Sequence, residues 1–185
     1  IVQETGPMHV VGLDIGGANL KAADTDGQAV SLDFPMWKNV ADLSGALIEL
    51  LQRFDSPELI AVTMTAELAD CFVTKSEGVD RILAAVERAA NSVPIVVWQT
   101  GAEFVEPQVA RQIPLLVAAA NWHALTTFAG RLVPESDSLL IDIGTTTTDL
   151  IPLQEGVPIP VGLTDVERLQ SGELVYSGIW RTPLC

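Results

Sequence analysis

Residues 10–24 read VVGLDIGGANLKAAD. A β-rich run ends in Asp-Ile-Gly-Gly and a second short apolar run follows, which predicts two antiparallel strands joined by a glycine turn. The pattern returns in SLLIDIGTTTTDLIPL at residues 138–153, so that the two aspartates are 142 − 14 = 128 residues apart. Because both copies contain an apolar strand, Asp-Ile-Gly, small or hydroxyl residues and a second strand, we interpret them as a domain duplication.

Short apolar runs alternate with helical patterns between the two copies. We predict helices at residues 42–54, 79–90 and 113–130 and strands at residues 10–15, 20–23, 29–34, 59–64 and 95–98. The order βββαβαβα implies an α/β fold, because strand–helix–strand units join parallel strands through right-handed crossovers. Further strands at 138–143, 149–153 and 157–161 follow a polar connection. The predicted domains are 8–132 and 137–185, and residues 1–7 are left outside the fold.

Composition and charge restrict the classes of partner. The 185 residues are 48% hydrophobic and 18% charged, which is typical of a globular protein. The formal net charge of −14 disfavours nucleic acid and anionic membrane surfaces as partners. Cys71 and Cys185 form no Cys-x-x-Cys motif, and two thiols fit a reducing compartment. We expect a cytoplasmic protein with no membrane span and no secretory signal.

The two Asp-Ile-Gly turns suggest a phosphate-binding chemistry. Glycine at a hairpin tip allows close approach of the backbone to a ligand, and successive N–H groups form a nest for phosphate oxygens. An aspartate at the strand end can hold Mg²⁺ or orient a water molecule. A single such turn is also typical of an ordinary hairpin. Two matching copies favour a pair of hairpins that face each other across a cleft and clamp a diphosphate with its metal.

Both segments resemble the phosphate hairpins of the actin-like ATPase superfamily. The strings VTMTAELADCF, KSEGVDRIL, AAANW and TDVERLQSGELVYSGIWRTP are similar to a hydantoinase/oxoprolinase-like family linked to tetrahydromethanopterin one-carbon metabolism, whose archaeal members are methanofuran-precursor synthases. The resemblance implies an actin-like ATPase fold, with one complete RNase H-like half and the start of a second. It also implies a transferase that condenses a furanmethanamine diphosphate with a glutamyl-tyramine phenol and releases diphosphate. Relative to such proteins, we expect the second half to be incomplete in this chain.

The resemblance assigns roles to individual residues. Asp14 and Asp142 are expected to organise Mg²⁺, and Lys21 is a further catalytic residue that contacts phosphate. Asp149 is expected to lie just outside the residues that contact Mg²⁺ and phosphate and to act through them. The phosphate loops are Gly16, Gly17, Ala18 and Asn19 in the first copy, and Gly144, Thr145, Thr146 and Thr147 in the second. ATP is compatible with this arrangement but is not required by it.

Four other residues are candidates for substrate contact. Thr65, Glu67 and Asp70 follow a predicted buried strand, and the carboxyl ends of parallel strands face the ligand crevice of an open sheet. The same pattern equally describes a capped helix start with acidic residues in its first turn. Arg181 is a further candidate in the second half.

Two other functions use the same hairpins. One is an ATP-dependent kinase or a hydantoinase/oxoprolinase-type hydrolase, and the other is a non-catalytic nucleotide-binding module. In each case the expected partner is a small-molecule diphosphate or a nucleotide. Homo-oligomer formation is left open.

Overall fold

The computed structural model describes residues 8–144 and 146–179. The chain forms two compact units. The first consists of Ile1–Gln99 and Glu103–Ala120, and the second of Thr100–Ala102 and Asn121–Cys185. Within the described residues, no helix is long and apolar enough to cross a membrane.

The first unit is a six-stranded mixed sheet covered by helices. Its strands are β1 (Val10–Ile15), β2 (Asn19–Asp24), β3 (Ala29–Asp33), β4 (Leu59–Met64), β5 (Ile95–Gln99) and β6 (Glu103–Val105), in the order β3-β2-β1-β4-β5-β6. β1, β4 and β5 are parallel, and the other neighbours are antiparallel. The helices are α1 (Met36–Asn39), α2 (Leu43–Leu51), α3 (Lys75–Ala90), α4 (Pro107–Ala110) and α5 (Pro114–Val117). This arrangement confirms the predicted α/β fold and its RNase H-like first half.

The core of this unit lies on one face of β1. Val11, Leu13 and Ile15 alternate along the strand and are buried, because every second side chain points to the same face. The core also contains leucines of α2 and an apolar stripe of α3, namely Leu43, Leu47, Leu50, Val79, Ile82, Leu83 and Val86. Asp14 therefore lies on the opposite face of the sheet.

The predicted second helix begins earlier than its apolar spacing indicated. α3 starts at Lys75 because Thr74 is its N-cap, with the Thr74 side chain accepting a hydrogen bond from the Glu77 N–H. Glu77 in turn accepts from the Val73 N–H. The helix ends at Ala90, and the next residue, Asn91, adopts a left-handed conformation. Apolar periodicity marks only the buried face of a helix, whereas the capping residues set its ends.

The predicted helix over residues 113–130 is wrong. α5 ends at Val117, Ala118 is extended, and a separate helix α6 spans Asn121–Gly130. Ala119 has a φ of 49°, and its N–H donates to the buried carboxylate of Glu67 over 2.8 Å. A carboxylate from another element therefore captures an amide that a continuous helix would use, and this tertiary contact outweighs local helix propensity.

The described part of the second unit is a small antiparallel sheet with two helices. It contains α6, β7 (Ser138–Ile143), β8 (Thr148–Gln154), β9 (Val157–Pro158), α7 (Asp165–Ser171) and β10 (Leu174–Val175). The strand order is β10-β8-β7, and β9 pairs with β8. The predicted strand at 157–161 is shorter than expected, ending at Pro158. α6 belongs to this compact unit and not to the first. The domain ranges predicted from the sequence, 8–132 and 137–185, remain predictions.

Candidate functional site

The first hairpin joins β1 to β2 through a two-residue tip. Ile15 lies opposite Leu20, and the Gly16 N–H donates to the Asn19 carbonyl over 3.0 Å, which leaves Gly17 and Ala18 at the tip. A Cβ at position 16 would lie 2.9 Å from the Asn19 oxygen. Glycine is therefore required at position 16 unless the turn shifts.

Hydrogen bonds from the segment after β3 fix the tip of this hairpin. The carbonyls of Gly17 and Ala18 accept hydrogen bonds from the N–H groups of Met36 and Phe34, at 2.9 and 2.8 Å. Their own N–H groups donate to no backbone carbonyl within residues 8–144 and 146–179. Two adjacent N–H groups without backbone acceptors form a site that can bind an anion. In its hydrogen-bonded orientation, the amide of Asn19 donates to Asp33 Oδ1 and serves the hairpin itself.

Asp14 and Lys21 lie directly opposite each other on the two strands. Lys21 Nζ is 3.1 Å from Asp14 Oδ2, and the lysine side chain is 58% exposed. Such an exposed ion pair contributes about 0–1 kcal/mol, so the ammonium can engage another anion at little cost. Asp14 Oδ1 is buried, and no group of the described residues donates to it. A carboxylate oxygen with unused acceptor capacity fits a hard cation such as Mg²⁺.

The three substrate-contact candidates that follow β4 have different surroundings in the structure. The Thr65 N–H donates to the Ile15 carbonyl, and its hydroxyl lies 3.8 Å from the position of a Cβ on Gly16, which places it at the base of the hairpin. Glu67 is buried and bonded to Ala119, so it stabilises a loop inside the first unit. Asp70 is exposed.

The second hairpin repeats the first in register. Ile143 lies opposite Thr148, and the Gly144 N–H donates to the Thr147 carbonyl over 2.8 Å. A Cβ on Gly144 would lie 3.3 Å from that carbonyl oxygen, slightly less crowded than at Gly16. Asp142 takes the place of Asp14, and the structure brings Thr146 into the same turn. The predicted phosphate-loop residue Thr145 and the predicted substrate residue Arg181 lie outside the described residues.

The residue opposite the aspartate carries a different charge in the two hairpins. The residue opposite Asp142 is Asp149, where the first hairpin has Lys21. Asp149 Oδ1 accepts a hydrogen bond from Arg168 Nη1 over 2.8 Å, and the Arg168 side chain is 1% exposed. Burial raises the pKa of Asp149 and the neighbouring carboxylates raise it further, whereas Arg168 opposes both.

Sequence reasoning did not identify Arg168 as a functional residue. It lies on α7, a helix that the apolar pattern did not reveal. The available signal was Thr164-x-x-Glu167, which forms a capping box with the Thr164 side chain bonded to the Glu167 N–H. That signal marks where the helix begins, but it does not show that the next residue is a buried cation.

Comparison with known proteins identifies relatives. The hydantoinase/oxoprolinase family model matches residues 58–184. A (4-{4-[2-(gamma-L-glutamylamino)ethyl]phenoxymethyl}furan-2-yl)methanamine synthase of Methanocaldococcus jannaschii is 38% identical over 179 residues, covering 95% of this chain and 52% of the relative. The synthase of the same name from Methanococcus vannielii is 46% identical over 50 residues, covering 27% of this chain and 22% of the relative. The chain thus spans about half the length of the first relative.

Solved structures are also similar to the chain. A ROK family transcriptional regulator, described as a homologue of the E. coli MLC protein, has a TM-score of 0.48 at 14% identity, covering 83% of this chain and 38% of the other. A Ppx/GppA family member of Aquifex aeolicus has a TM-score of 0.40 at 16% identity, covering 82% and 49%. Because the family model matches more than half of the chain, the protein belongs to the hydantoinase/oxoprolinase family.

Proposed function

We propose that this chain is part of a Mg²⁺-dependent transferase of methanofuran biosynthesis. The enzyme would join a furanmethanamine diphosphate to the phenol oxygen of a glutamyl-tyramine and release diphosphate. The observation that carries the proposal is the pair of hairpins with one register, one turn hydrogen bond and an aspartate at the same position. The 38% identity to the M. jannaschii synthase supports the proposal, because the name of that enzyme describes a phenoxymethylfuran product.

The proposed reaction forms one carbon–oxygen bond and breaks another. The phenol oxygen attacks the methylene carbon attached to the furan ring, and the bond from that carbon to the diphosphate oxygen breaks. The bonding electron pair leaves with diphosphate, and the phenol proton passes to solvent. The main requirement is therefore to stabilise negative charge on the leaving group.

The residues of this chain meet that requirement through position and charge. In the first hairpin, the N–H groups of Gly17 and Ala18 and the ammonium of Lys21 would bind diphosphate oxygens. In the second, Thr146 and Thr147 would supply further donors. Asp14 and Asp142 would hold Mg²⁺, which when bound neutralises charge on the leaving diphosphate. The unused buried oxygen of Asp14 supports this assignment.

Three alternative functions would use the same hairpins, and the family description favours the first of them. A hydantoinase/oxoprolinase-type hydrolase would use the same hairpins to bind ATP, and a kinase would do likewise. Both consume ATP, whereas the proposed transferase does not. A non-catalytic nucleotide-binding module would bind the nucleotide without turnover.

The test uses the natural full-length protein with Mg²⁺, a furanmethanamine diphosphate and the glutamyl-tyramine. We expect diphosphate release in step with an ether product detected by mass spectrometry, and no requirement for ATP. Asp14→Asn and Asp142→Asn should each lower the rate by about 100-fold or more. Asp137→Asn, at an exposed position outside both hairpins, is the matched control. Steady ATP hydrolysis without ether formation would overturn the transferase proposal in favour of the ATP-dependent alternative.

A further inference from the structure

The second hairpin carries two carboxylates where the first carries a carboxylate and an ammonium. Asp142 and Asp149 face each other directly on neighbouring antiparallel strands. Like charges in this arrangement repel each other, and a further anion such as diphosphate would add to the repulsion. The second hairpin therefore needs a compensating cation that its own strands do not provide.

Arg168 is that cation, and it is enclosed on several sides. Its Nη1 donates to Asp149 Oδ1 over 2.8 Å, and its Nη2 donates to the Glu173 carbonyl over 3.0 Å. The guanidinium carbon lies 3.8 Å from the centre of the Trp122 ring, a distance typical of a cation–π contact. Asp149 and Arg168 thus form a hydrogen-bonded salt bridge within the second unit.

The loop after α7 fixes the direction of Arg168. The Glu173 carboxylate accepts hydrogen bonds from the N–H groups of Val161 and Gly162 and from the Ser171 hydroxyl. The Glu173 carbonyl also accepts from the Leu150 N–H on β8. The helix that carries Arg168 is thus tied to the strand that carries Asp149, and the arginine has little freedom to turn elsewhere.

We propose that Arg168 is the positioning residue of the second hairpin, a role that rests on the proposed function. By pairing with Asp149 it cancels the second carboxylate beside Asp142, and the hairpin keeps a single negative charge when it receives Mg²⁺ and diphosphate. Arg168 touches neither ligand and acts through Asp149. The first hairpin needs no such residue, because Lys21 balances Asp14 directly.

Binding of inorganic diphosphate with Mg²⁺ to the natural full-length protein tests this role by calorimetry. Arg168→Gln leaves Asp149 unbalanced and should weaken binding by about tenfold. The double variant Arg168→Gln/Asp149→Asn removes both charges and should recover binding to within about threefold of the wild type. Gln170→Ala, an exposed position on the same helix, is the control and should bind as the wild type does.

Several outcomes would overturn the proposal. Wild-type affinity in Arg168→Gln shows that no charge needs balancing. A double variant that folds but binds as weakly as Arg168→Gln shows that Arg168 acts only through packing. If Arg168→Gln does not fold, recovery of both folding and binding in the double variant supports the charge balance, and a double variant that folds but binds weakly overturns it.

A second readout separates this role from the proposed function. Backbone amide NMR signals of Thr146, Thr147 and Thr148 should move in Arg168→Gln and return in the double variant, without any ligand. If the wild type binds no diphosphate, the proposed function fails while these signals still decide the role of Arg168. Unmoved signals in Arg168→Gln overturn it.

Discussion

The two hairpins share a strand register and a turn hydrogen bond, but different residues support them. Each has an aspartate one residue before the final residue of its first strand and a glycine whose N–H closes a two-residue tip. The first is held by N–H groups of Phe34 and Met36 on the next segment of chain. The second is supported by Arg168 from a helix that follows it. A short sequence motif therefore determines the turn, whereas the charge at the turn depends on residues far from it.

The first strands of the two hairpins also differ in how far their apolar side chains are buried. Val11, Leu13 and Ile15 of β1 are 0, 3 and 0% exposed. Their counterparts 128 residues later, Leu139, Ile141 and Ile143 of β7, are 56, 54 and 54% exposed. In the first unit this row belongs to a core shared with α2 and α3. Equal sequence patterns thus contribute unequally to stability, and this difference can be measured.

The largest expected effect is on the stability of the first unit. Leu13→Ala should lower the free energy of unfolding by about 2–5 kcal/mol, because it leaves a cavity in a closed core. Ile141→Ala at the half-exposed counterpart should cost about 1 kcal/mol or less. Chemical denaturation of both variants measures the difference. Equal losses would show that the row on β7 is covered in solution.

The next effect concerns the two turn glycines. Gly16→Ala should destabilise the protein by about 1–3 kcal/mol, since the new Cβ would lie 2.9 Å from a backbone oxygen that cannot easily move. Gly144→Ala meets the corresponding oxygen at 3.3 Å and should cost less. Thermal unfolding compares the two variants. Gly45→Ala is the control, because a Cβ at position 45 of α2 has nothing within 4 Å, and it should gain up to about 1 kcal/mol from helix propensity. A larger loss at Gly144 would contradict the difference in crowding.

Much of this comparison was predictable from the sequence, and the reason is local. Residues 10–15 and 138–143 form strands with the predicted bounds because alternation and Asp-Ile-Gly are short-range signals. The break at Ala119 was not predictable, because it depends on a carboxylate 52 residues away. Arg168 was missed for the same reason, since its burial depends on Trp122 and Asp149. The sequence predicts the hairpins well and their tertiary support poorly.

A smaller effect, on diphosphate binding, is expected from the charge that lies opposite the aspartate of the first hairpin. Lys21→Met keeps the aliphatic stem but removes the ammonium, and it should weaken diphosphate binding by about threefold to tenfold. The loss should shrink at high salt, because the Lys21 side chain is exposed to screening ions. Calorimetric titrations at low and high ionic strength measure both quantities. Stability should change little, and an unchanged affinity at low salt would exclude Lys21 from the phosphate site.

The smallest effect on stability is expected at the end of the first hairpin opposite its tip, where His9 links the two strands. His9 Nε2 lies 3.2 Å from Asp24 Oδ2, and this hydrogen bond is the main cause of a raised His9 pKa, with Asp26 adding to it. Burial pushes the pKa of Asp24 upward, but hydrogen bonds from Gln28, His9 and Asp26 outweigh it and lower the pKa. An ion pair thus joins the two strands at the base of the hairpin, whereas the Gly17 and Ala18 N–H groups at its tip donate to no backbone carbonyl of the described residues.

The two shifts define a pH window for this contribution. Because the pKa of His9 is raised in the folded protein, protonated His9 contributes its full stabilisation below about pH 6.5. This contribution is lost as the pH rises through the pKa of His9 in the folded state. Because the pKa of Asp24 is lowered in the folded protein, ionised Asp24 contributes its full stabilisation above about pH 3.9. This contribution is lost as the pH falls through the pKa of Asp24 in the folded state. Denaturation at a series of pH values should therefore show wild-type stability falling relative to His9→Gln, which lacks the charge, as the pH rises above about 6.5. Parallel curves for the two proteins would show that the ion pair contributes nothing, and that the β-ladder alone closes this end of the hairpin.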